Sequence, residues 1–157
     1  MANWGSVVLW AGLIFWFSTA SFGASSTSRV IEPILTWIMP SISTDQLTSI
    51  HFSIRKLGHL SEYFIFAVLL SRALVREFES LSDWRGVLIT FLLVSLYAVS
   101  DEWHQSFVPG RTASSADVML DSAGGFCGVM SFTAIRRGRK KLDNIRTNRD
   151  HSRNPDS

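Results

Sequence analysis

The sequence is poor in charge and in cysteine. Only 18% of its 157 residues are Asp, Glu, Lys or Arg, against roughly 25% in ordinary soluble domains. No charged residue precedes Arg29. The single cysteine, Cys127, excludes an intrachain disulfide. It lies inside an apolar segment and reads as buried packing rather than as a reactive thiol. There is no internal repeat, no soluble second domain and no nucleophile signature. The acidic residues form no compact metal-binding motif, so neither a metal nor a cofactor is expected.

What is present is apolar and aromatic. Hydrophobic residues make up 46% of the chain, with six Trp and eleven Phe, and the mean hydropathy is positive. Rings of this kind favour membrane interfaces and lipid-facing surfaces. The composition therefore points to a small polytopic membrane protein. A bilayer core about 30 Å thick needs roughly 20 apolar residues per helix. Four segments qualify as spans, at about 4–22, 54–75, 84–103 and 117–135. Backbone groups in hydrocarbon must be satisfied internally, so helices are the expected form. The predicted fold is all-α, an integral membrane bundle of four transmembrane helices over residues 1–135. For the first segment a cleaved signal peptide is the rival reading. No Lys or Arg precedes it and it is long for a signal core, which favours a retained span.

Charge sets the orientation. After Ile135 the chain has eight Lys/Arg and three acids; before it there are seven Lys/Arg and ten acids. The basic tail, residues 136–157, lacks apolar periodicity and is expected to be disordered. With four spans both termini share a side. That side collects eleven Lys/Arg, and the other collects Arg29, Arg55, Lys56 and Arg111. The positive-inside rule puts the tail in the cytoplasm, with the inner membrane as the location. There the tail meets anionic lipid rather than nucleic acid. Within the first outer loop, "VIEPILTWIMP" fits either a short helix on the membrane surface or a loop packed over the bundle.

Under this topology the unusual polar residues fall at one depth, on the outer side. Lys56, His59 and Glu62 are spaced by three at the start of the second span, on one helix face. Asp101, Glu102 and Gln105 end the third span. Asp117 and Asp121 are four apart at the start of the fourth. Between them "FVPGR" makes a turn that delivers Arg111. A carboxylate inside a span, as Asp121 is, costs at least a few kcal/mol and normally faces a partner or a wet cavity. Two readings of the convergence stand side by side. One is a packing network of salt bridges, such as Arg111 with Asp117 or Asp101. The other is an outward-facing polar pocket. In it Arg111 and Lys56 clamp an anionic headgroup, and Glu62, Gln105, Asp117 and Asp121 complete the wall. In an enzyme version His59 would be the general acid or base, oriented by a carboxylate such as Asp101 or Asp117, with Glu102 a further catalytic candidate. Ser114 and Ser115 qualify as nucleophiles by proximity alone, and His104 reads as a solvated residue. Gly124 and Gly128, four apart, allow close helix approach and read as packing within the bundle.

The runs "RKLGHLSEYFIFAVLLSRAL" and "DEWHQSFVPGRTASSADVMLDSAGGFCG" resemble the VanZ-like family of bacterial membrane proteins. The resemblance rests on Lys56, His59 and Tyr63. It continues through Asp101-Glu102, Gln105, Phe107, Pro109-Gly110-Arg111 and Asp117, and through Gly124, Gly125 and Gly128. The serine-rich "FSTASFGASS" fits as well. It covers about residues 4–135. It implies a bacterial inner-membrane protein with an envelope-related role, and the family name comes from resistance to the glycopeptide teicoplanin. Members often have Asn where this chain has Asp121.

Overall fold

A computed structural model describes residues 4–19, 24–78, 81, 83–109, 111 and 113–153. Among them every regular element is a helix. There are five: α1 (Trp4–Phe17), α2 (Ala24–Ile38), α3 (Thr44–Glu77), α4 (Trp84–Gln105) and α5 (Ser115–Arg153). Three of these, α3, α4 and α5, are long and apolar enough to cross a membrane. α1 is apolar but has only 14 residues, about 21 Å at 1.5 Å per residue. The expected first span runs to residue 22, but the helix stops at Phe17 and the chain turns at Ser18 and Thr19; residues 20–22 lie outside the described residues.

Local chemistry sets the helix starts. Ser43 caps α3 through a reciprocal pair: its hydroxyl accepts from Gln46 N–H at 3.3 Å, and its own N–H donates to Gln46 Oε1 at 3.0 Å. Asp83 caps α4 by accepting from Arg85 N–H at 2.9 Å. α3 therefore begins ten residues before the expected span. Its 34 residues measure about 51 Å, well beyond the hydrocarbon thickness. The stretch "VIEPILTWIMP" is mostly helix α2, which packs on α3 and leaves Ile34, Trp37 and Ile38 exposed.

The described part of the basic tail, residues 136–153, is helical. α5 continues through it to Arg153. After Pro109 the next proline is Pro155, and Lys, Arg and Leu are good helix formers. A helix already built in the bundle also removes the nucleation cost that would keep such a segment disordered in isolation.

α3 sits at the centre and packs against α1, α4 and α5. Its buried face carries Tyr63, Phe66, Ala67, Leu70, Ala73 and Leu74, which meet Val94 and Ala98 of α4 and Val129 of α5. α3 and α5 run in the same direction, and glycine lets them touch. A side-chain carbon on Gly124 would collide with the carbonyl oxygen of Leu60, and one on Gly128 with that of Phe64 and with Ala67. The glycine pair therefore serves packing within the chain. Cys127, next to Gly128, is exposed on the other side of α5 rather than buried.

The outer surface is greasy. Leu88, Leu92, Leu96 and Val99 of α4 are exposed, as lipid contact requires. Trp84 and Trp103 stand exposed at its two ends. They are 19 residues apart, about 28 Å along the axis, the spacing of two interfacial tryptophan belts. Trp103 marks the polar end of the bundle and Trp84 the end from which the tail emerges.

Candidate functional site

At the polar end, short and charged side chains from four elements replace the apolar core. Helical spacing explains the grouping. Asp101, Glu102 and Gln105 share the inward face of the last turn of α4, and all three are buried. Asp117 and Asp121 share the inward face of the first turns of α5. Lys56, His59 and Glu62 line one face of α3.

These residues meet as matched partners. Lys56 Nζ pairs with Asp117 Oδ1. One turn deeper, His59 Nδ1 lies 3.4 Å from Asp121 Oδ1. The side chain of Asp121 is fully buried, so this imidazole is its neighbour where water is absent. The parallel course of α3 and α5 sets both pairs in register. Neither Arg111–Asp117 nor Arg111–Asp101 forms the salt bridge that the sequence suggested. Asp117 goes to Lys56, and Asp101 is held by neutral groups. Its Oδ1 accepts from the Ser18 hydroxyl, and its Oδ2 accepts from Gln105 Nε2 at 3.0 Å. The same Gln105 amide nitrogen donates to Ser18 Oγ at 3.2 Å. Glu102 Oε2 accepts from the Ser114 backbone N–H at 2.8 Å, tying the end of α4 to the start of α5.

Arg111 works on backbone. Its guanidinium donates to the carbonyls of Phe17 and, at 3.3 Å, Thr19. A helix ends with unsatisfied carbonyls and partial negative charge, and a cation there stabilises both. Burial, and then the neighbouring Arg55, pull the Arg111 guanidinium down from its ordinary range; Asp101, Glu102 and Glu62 pull it back. It remains a cation, as guanidinium does in proteins.

Beside these contacts opens a cleft of about 230 Å³, lined by Phe17, Ser18, Ile54, Arg55, Gly58, His59, Glu62 and Arg111. Two cations, one carboxyl and one imidazole thus surround a space with apolar walls. Glu62 lies within electrostatic reach of His59, Asp121, Asp101 and Arg111. Of the residues singled out from the sequence, His59, Glu62 and Arg111 face the cleft. Lys56, Asp117 and Asp121 form the wall behind His59, and Asp101, Glu102 and Gln105 brace α4 against α1 and α5. Two polar residues of the cleft carry no distinguishing signal in the sequence. Arg55 reads as an ordinary interfacial arginine in sequence. Ser18 is one of several serines, and only its contact with Asp101 distinguishes it. Tyr63, fully buried beneath, has no hydrogen-bond partner for its hydroxyl among the described residues. Ser114 and Ser115 do not line the cleft, and His104 packs its ring on Phe15 at 4.5 Å. Among the described residues, no group of three or more His, Cys, Asp or Glu is placed to hold a metal ion.

A family model described as VanZ/LLP1 matches residues 4–136 of the chain. No curated protein and no solved structure matches it.

Proposed function

The chain belongs to the VanZ/LLP1 family, and from that premise we propose that it is an inner-membrane protein that binds an anionic, lipid-linked envelope ligand in its polar-end cleft. α1, α3, α4 and the first half of α5 are its four spans. Both termini are cytoplasmic, and the polar end faces outward at the outer leaflet. The observation that carries this reading is that Arg55 and Arg111 line one cleft, in which two cations face the single carboxyl of Glu62, with His59, Ser18 and the apolar Phe17, Ile54 and Gly58 completing the walls. Two guanidinium groups suit a phosphate or carboxylate, and apolar walls suit the chain attached to it. Arg55 takes the place expected for Lys56, which is neutralised by Asp117.

The test is native mass spectrometry of the protein purified in mild detergent. Wild type should carry a specific anionic lipid-linked species that Arg55→Gln loses while its helix content and elution are unchanged. A wild-type lipid profile no different from that of the surrounding membrane would sink the reading.

A second reading makes the cleft an active site for a lipid phosphate. It is favoured by His59, whose Nδ1 is backed by the buried carboxylate of Asp121 while the ring lines the cleft. That arrangement orients an imidazole for acid–base work. Hydrolysis of a short-chain lipid phosphomonoester, lost in His59→Gln with binding retained, would establish it. Binding without turnover leaves the first reading standing.

A further inference from the structure

The tail end of the bundle holds two hollows unrelated to the polar-end cleft. One is a cavity of about 100 Å³ among α3, α4 and α5, whose lining includes Ser71, Asp83, Thr90, Arg136, Arg137 and Lys140. The other is an apolar cleft of about 300 Å³ along the α3–α5 seam. It is walled by Phe64, Val68, Phe132 and Ile135 and ends in Arg136 and Arg139. The two share Phe132 and Arg136.

The cavity favours an anion. Thr90 and Thr133 donate their hydroxyl protons to Gly86 and Val129 within their own helices. Asp83 accepts the N–H of Arg85 as the α4 cap. Ser71 is different: it is 3% exposed, and its hydroxyl has no hydrogen-bond partner among the described residues. A buried hydroxyl left so is costly, and it offers a donor into a space whose charged lining, among the described residues, is Arg136, Arg137, Lys140 and Asp83. The level is also right. The cavity takes in Asp83, the residue before Trp84, the tryptophan at the tail-side membrane boundary.

We propose that this end seats one anionic phospholipid from the leaflet on the tail's side. An acyl chain lies along Phe64, Val68, Phe132 and Ile135. The phosphate sits at Arg136 and Arg139, and the rest of the headgroup turns toward Ser71, Arg137 and Lys140. A cleft that is apolar along its length and cationic at one end complements an anionic amphiphile. A water-soluble anion would leave the apolar part empty.

The experiment is native mass spectrometry of the full chain titrated with phosphatidylglycerol, phosphatidylcholine or inorganic phosphate. Wild type should form a single phosphatidylglycerol adduct in preference to phosphatidylcholine, and excess phosphate should not displace it. Arg136→Gln with Arg139→Gln should weaken the adduct about thirtyfold, given two cations near an anionic surface. Val68→Trp, which fills the cleft without touching charge, should abolish it. Lys141→Gln with Arg146→Gln, equal in charge but outside both hollows, should leave it intact. Arg55→Gln should also leave it intact, which separates this site from the polar-end cleft. Equal weakening by both paired variants, indifference to Val68→Trp, displacement by phosphate or loss with Arg55→Gln would each overturn the proposal.

Discussion

The same face of α5 meets the same helix, α3, by two different means. In its first two turns, Asp117 and Asp121 face Lys56 and His59. In the next two turns, Gly124 and Gly128 face the bare carbonyls of Leu60 and Phe64. Lipid tails are as apolar as leucine, so hydrophobicity alone drives little helix association in a bilayer. Close backbone packing and polar contacts take over that work. The glycine stretch supplies contact with no desolvation cost. The carboxylate stretch instead meets α3 through two side-chain pairs, and His59 of the second pair lines the cleft. Close packing and a polar site are thus neighbouring solutions along one seam.

The comparison can be broken most severely at the glycines. Gly128→Leu should cost about 3 kcal/mol or more, because the obstacle is backbone and cannot turn aside. Thermal unfolding in detergent reads this, and a variant as stable as wild type would refute the seam. Next comes His59→Leu, which leaves Asp121 charged and buried with no imidazole beside it. A loss of about 3 kcal/mol is expected. Adding Asp121→Asn to the same chain should restore most of it, the non-additivity of a coupled pair. Additive losses would mean that the two residues act independently. The smallest effect belongs to Lys56→Met. That pair is partly open, with side chains 27% and 12% exposed, so about 1 kcal/mol is expected. A loss as large as that of His59→Leu would show both pairs to be equally sealed from water.

Much of this was legible from residue spacing. The i, i+3 and i, i+4 runs of polar residues gave the inward faces of α3, α4 and α5, and the apolar runs placed the long helices. Pairing was not legible. Which carboxylate meets Lys56 depends on α3 and α5 running parallel at a given offset, and spacing within one helix carries no information on offset between two. That Arg111 also holds the end of α1 was not legible, because a sequence does not reveal that the carbonyls of Phe17 and Thr19 lie beside it. Ser18 and Arg55 were hidden for a related reason, since their types are common at interfaces and only neighbours distinguish them. The helix over residues 136–153 was not legible either, because composition reports what a segment does alone, whereas this one continues a helix already formed.

That continuation makes α5 a rod with a fulcrum. Residues 136–153 add about 27 Å of helix beyond the bundle, unbroken from the turns that hold Asp117 and Asp121. At Gly124 and Gly128 the rod is pinned backbone to backbone. A tilt of about 10° about that point would swing its far tip by about 7 Å, by simple helix geometry. Asp117, which pairs with Lys56, and the cationic residues 136–153 therefore lie on one unbroken helix, on opposite sides of its glycine contact with α3.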